Sequence, residues 1–70
     1  MWKLDGEPTY DFRLSDGKNS HAFARFYYTP EVTIGIMNAI AESGFEDWNN
    51  YESFHEAFRI AEKSLEVPKN

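Results

Sequence analysis

HAFARFYYTPEVTI, residues 21–34, is the stretch whose reading decides the fold. It opens with closely spaced rings in a strand-like run and closes on a helical pattern, and the change falls at Thr29-Pro30. Thr caps a helix well because its hydroxyl accepts from a free first-turn N–H. Pro suits the first helical position, since the N–H it lacks would have no intrahelical partner there. Residues before this pair read as strands and turns, and residues after it read as helices.

Toward the N-terminus, the pairs Asp5-Gly6 and Asp16-Gly17 punctuate the chain. Gly takes a positive φ freely and Asp tolerates one, so each pair signals a hairpin between alternating segments. Trp2 and Leu4 alternate with Lys3, and Tyr10, Phe12 and Leu14 alternate with Asp11 and Arg13. This period of two predicts an antiparallel meander with strands near 1–5, 9–15 and 21–28. The first strand, short and terminal, is the weakest of the three.

Toward the C-terminus, PEVTIGIMNAIAESG predicts a helix near 30–43 with Gly44 as its stop. Val32, Ile34, Ile36, Met37, Ala39, Ile40 and Ala41 cover more than half its circumference, wider than one sheet face requires. A second helix near 50–66 supplies the other contact, with Tyr51, Phe54, Phe58, Ala61 and Leu65 on one face. Asn49 and Glu52 fit a capping box, Asn50 is the rival cap, and Pro68 marks the end. Phe45 and Trp48 of the connector GFEDWNN are expected to plug the junction between the helices. The expected fold class is α+β: a three-stranded antiparallel β-meander followed by two α-helices packed on one face, βββαα in two layers. Residues 1–70 form one small domain on this reading, with 67–70 as a tail.

Seventy residues allow one domain and a thin core. There is no cysteine, hence no disulfide and no thiolate zinc site. Rings make up 17% of the chain, enough for a small core when each buries ~150–250 Å². No apolar run approaches the ~20 residues of a membrane helix, and MWKLDGEP lacks a signal-peptide pattern. A chain beginning with Met in this way reads as a complete, soluble cytoplasmic product, with no membrane partner.

Catalysis needs an activated nucleophile, an acid/base pair or a metal. The serines follow no nucleophile-elbow pattern, the glycines form no phosphate loop, and His55 with Glu52 or Glu56 offers only two metal ligands. The expectation is no enzyme, no metal and no cofactor. HAFARFYY matches the RNA-recognition octamer at Phe23, Ala24 and Tyr28 but fails at its first two positions and at Arg25. The net charge of −5 further disfavours direct nucleic-acid binding, leaving only a weak third reading through Arg13, Lys18 and Arg25.

The two faces of the third strand differ. His21, Phe23, Arg25 and Tyr27 share one face, and Ala22, Ala24, Phe26 and Tyr28 the other. The small alanines suit the face a helix approaches, which leaves Phe23, Arg25 and Tyr27 on the open face. There they either pair across strands with side chains such as Arg13 or form a contact surface, for which a homodimer is the natural occupant.

Charge is the most informative signal. Between Phe26 and Phe58 stand six acids, Glu31, Glu42, Glu46, Asp47, Glu52 and Glu56, and no Lys or Arg. All seven bases lie outside that stretch with the other six acids, so it carries −6 and the remainder +1. Two features explain part of this: Glu31 and Glu52 start helices, where anions are favoured, and any surface needs charge. Yet Glu52 and Glu56 are like charges one turn apart, a pairing that costs ~0.2–0.5 kcal/mol. Their axial separation of about 6 Å approaches two phosphate steps of ~3.4 Å each. Glu42, Glu46, Asp47, Glu52 and Glu56, with Trp48 as an apolar anchor, are the candidate contact residues. The expected function is a small acidic module, of the phage or mobile-element antagonist type, that covers a basic partner such as a nuclease. The alternative is self-association through the open sheet face.

Overall fold

Hairpin geometry sets the sheet. A computed structural model describes residues 1–7, 9–24 and 28–65. Its strands are β1 (Lys3–Asp5), β2 (Asp11–Ser15) and β3 (Ser20–Ala24), antiparallel in the order β1-β2-β3. Two helices come next, α1 (Pro30–Glu42) and α2 (Tyr51–Ser64), so the fold is the βββαα arrangement expected. The expected strand end at residues 25–27 and the tail from residue 66 lie outside the described residues. No helix among the described residues is long and apolar enough to cross a membrane.

Ser15 faces Ser20, which closes a four-residue loop over Asp16–Asn19. The Asp16 carboxylate accepts backbone N–H bonds from Asn19 (2.6 Å) and Lys18 (2.8 Å). These bonds, Asn19's foremost, hold its pKa below the usual carboxylate range. Gly17 sits at φ +91°, where an L side chain is strained although space around it is open. Gly17→Ala should therefore cost ~1–2 kcal/mol through backbone conformation alone, read as a lowered urea midpoint with unchanged slope. No shift in the midpoint would contradict this.

The register then fixes which side chains share a face. Phe12 pairs with Phe23, Leu14 with His21, and Leu4 with Leu14, and these line the helix-facing side. Asp5, Arg13 and Ala22 form a row on the open side, where Arg13 donates to Ser20 Oγ at 2.9 Å. This reverses the expected facing of β3. Phe23 is only 8% exposed and packs on Phe54 and Phe58, while Ala22 faces solvent. Rings from both layers fill the gap, so no small residue is needed beneath α2. Arg25 and Tyr27, placed beside Phe23 on the open face, lie outside the described residues.

Thr29 caps α1, its hydroxyl accepting from Val32 N, with Pro30 at the first helical position. Ile36, Met37 and Ile40 are buried in the core, and α1 packs against both β1 and α2, which accounts for its wide apolar arc. Asn38 Oδ1 accepts from the Trp2 backbone N–H at 2.7 Å, tying the N-terminus to α1. Asn50, rather than Asn49, caps α2 through Ser53 N at 3.1 Å. Ring contacts from His21 to Phe54 and from Phe23 to Phe58 place α2 alongside β3, running in the same direction. Tyr28, buried, continues that direction by donating its hydroxyl to Glu62. That bond, with desolvation and the Glu62 charge, pushes the phenol up to about 12.

Candidate protein-binding surface

The end of α1, the connector and the start of α2 are consecutive in the chain, and the connector folds tightly. Gly44 N donates to Ala41 O at 3.1 Å and Asn50 N to Asp47 O at 3.0 Å. Phe45 and Trp48 meet edge to face at 5.0 Å, and Trp48 lies 6.0 Å from Phe54. Glu42 ends α1, Glu46 and Asp47 lie in the connector, Glu52 is in the first turn of α2 and Glu56 one turn further along; all five side chains are exposed.

Local electrostatics at the corner are unfavourable. Glu42 stands in the last turn of α1, where the macrodipole is negative and favours cations, and that turn contains no base. Glu52 does sit favourably in a first turn, but Glu56 opposes it.

Trp48, expected to anchor a partner among these acids, is a core residue at 8% exposure. It packs 4.9 Å from Trp2, and with Phe45 it plugs the junction, as the connector's rings were expected to do. It does not stand out from the surface; only one side of it is reached, from a groove.

That groove, about 600 Å³ in volume, runs between β3 and α2. Phe23, Phe54 and Phe58 form its floor, and Tyr51, His55 and Arg59 stand along the α2 wall. Tyr51 is 71% exposed. The spacing of the alanines in β3 points His21 and Phe23 outward, which hides this groove in the sequence. A helical wheel carries the signal: Tyr51, His55, Arg59 and Glu62 flank the Phe54–Phe58 stripe on one side.

His21 closes one end. Its half-buried ring stacks on Phe54 at 4.6 Å and lies 5.6 Å from Trp2 and 6.2 Å from Trp48. Neither His21 Nε2 nor Trp2 Nε1 has a hydrogen-bond partner among the described residues, although both atoms are buried. Burial lowers the His21 pKa from 6.5, opposed by the Asp16 charge. The folded ring resists protonation, so its stability contribution is full above 6.5 and is lost as pH falls toward the lowered value. His21→Phe keeps the stacking and removes this titration. Between about pH 7 and pH 5 the urea midpoint of the native protein should fall further than the variant's. Equal falls would contradict a desolvated imidazole.

Among the described residues, no group of three or more His, Asp or Glu side chains is placed to hold a metal ion. Compared with known proteins, the chain matches no family model, no curated protein and no solved structure.

Proposed function

We propose that this chain is a small protein-binding module whose acidic corner covers a basic surface of a larger partner. The observation that carries the reading is a run of five exposed carboxylates with no Lys or Arg between them, from the end of α1 through the connector to the start of α2, of which Glu42 stands against the electrostatic preference of its helix end. A face that served only solubility would gain by mixing in bases, as the open sheet face does with Lys3, Asp5, Asp11 and Arg13. Basic protein surfaces of this extent most often serve nucleic acids, so the favoured partner class is a nuclease or another nucleic-acid-handling protein. Covering that surface would inhibit it, in the manner of phage or mobile-element antagonists. Complementary charge would speed encounter and select the partner, while adjoining apolar contact would hold it.

The test is capture from a host lysate, followed by a salt gradient and identification of the eluted proteins. A basic nucleic-acid-handling protein released at moderate salt is the expected result, since exposed charges are screened beyond ~8 Å at physiological ionic strength. Its nuclease or binding activity should then fall when the module is added back. Retention of proteins without basic surfaces, or release that ignores salt, would refute the proposal. Self-association through Phe23, Arg25 and Tyr27 loses its central residue, because Phe23 lies under α2.

A further inference from the structure

Trp2 and His21 each bury a polar atom that bonds nothing. Indole Nε1 of Trp2 and imidazole Nε2 of His21 are the buried side-chain polar atoms without a partner among the described residues, and the two rings are neighbours at 5.6 Å. Native structures satisfy nearly all such groups, so two exceptions side by side call for a physical reason. An indole N–H can only donate. The His21 side chain makes no hydrogen bond among the described residues, and Nδ1 is not one of the buried atoms left without a partner, so Nδ1 reaches solvent. A neutral ring with its proton there turns Nε2 inward as an acceptor, matched in kind to the Trp2 donor.

We propose that His21 is an acid-operated gate over the Trp2–Trp48 ring cluster: closed while its ring is neutral, and swung outward, off Phe54, once the ring is a cation. The ring is half-buried and stacks on Phe54 at 4.6 Å, with Trp48 at 6.2 Å. Protonation makes Nε2 a donor as well, so two inward N–H groups then lack acceptors and a charge sits in an apolar cluster. A turn about the side chain's own bonds relieves both by bringing each imidazolium nitrogen to water, and it leaves the backbone of β3 in place. Burial opposes the cation, and Asp16, in the loop leading into β3, favours it. The other charged groups on the surrounding elements are Lys3 of β1 and Arg13 of β2, both on the open sheet face, Asp47 beside Trp48, and Glu52, His55, Arg59 and Glu62 of α2. None of them joins burial and Asp16 in acting on the ring. The gate is independent of the acidic-corner reading.

Trp2 and Trp48 are the two tryptophans of the chain, so their fluorescence reports the gate directly. The full chain is titrated from about pH 7.5 to about pH 4.5, following acrylamide quenching, imidazole ¹⁵N shifts and the dispersion of the amide spectrum. The neutral ring is expected to carry its proton on Nδ1. As it titrates below 6.5, quenching should rise at least twofold while amide dispersion stays intact. His21→Phe should abolish the rise, and His55→Ala, which removes the other histidine at an exposed position, should keep it. Trp2→Phe keeps a ring but removes the indole donor that favours the neutral form, so the His21 midpoint should move up by about half a pH unit or more. A proton on Nε2 of the neutral ring, or a His21 midpoint unmoved in Trp2→Phe, would overturn the pairing and the gate with it. So would quenching that stays flat, that rises equally in His21→Phe, or that rises only as amide dispersion is lost, since the last is unfolding of the whole chain.

Discussion

Trp2→Ala should lower stability by ~3–5 kcal/mol, most or all of what a core of this size supplies. Residues this close to a terminus are ordinarily tolerant of change. Trp2 is the exception because it is 1% exposed and meets Trp48 at 4.9 Å and His21 at 5.6 Å. Truncation would open a cavity where sheet, connector and α2 converge, and the neighbours there are rigid rings that collapse poorly. Trp2→Phe, which refills most of that space, should recover more than half of the loss. The readout is the urea midpoint of each variant beside the native protein. A Trp2→Ala midpoint within ~1 kcal/mol of native would show that the N-terminus is not part of the core.

Reversing charge at the corner is the second large effect, and it acts on binding instead of folding. Asp47→Lys/Glu52→Lys replaces two exposed carboxylates that make no backbone cap, since Asn50 caps α2. Stability should change by under ~1 kcal/mol, as for surface positions generally. Affinity for the basic partner should fall at least a hundredfold at low salt, because two attractive contacts become repulsive. High salt should narrow that difference, which separates a charge effect from a lost fold.

The boundaries between elements were legible because local chemistry decides them. Thr29-Pro30 starts α1 and Asp16-Gly17 turns the second hairpin whatever the rest of the chain does. The facing of β3 was also written locally, in the loop. Once Ser15 opposes Ser20, Phe12 must oppose Phe23, and two rings opposite one another share a face. Residue size alone pointed the other way, and register outweighs it. The choice of Asn50 over Asn49 turns on a one-residue phase that adjacent asparagines leave open. The acids could be placed on the surface from composition, since unpaired carboxylates are almost never buried. The groove could be read only in part: the wheel of α2 shows its polar wall, but its width depends on how far α2 stands from β3, which no local pattern encodes.

Position and net charge make different demands, and one comparison separates them. Glu7 and Asp11 are exposed near the β1–β2 turn, at the end of the sheet opposite Trp2, His21 and Trp48. Converting either Glu7 and Asp11 or Asp47 and Glu52 to lysine adds four charges, moving the net from −5 to −1. Dissociation constants for the salt-released partner, taken side by side at low salt, are the decisive measurement. Weakening at least tenfold greater for the Asp47/Glu52 pair than for the Glu7/Asp11 pair is the expected result. Equal weakening by both pairs, or none by either, would contradict an acidic corner as the contact.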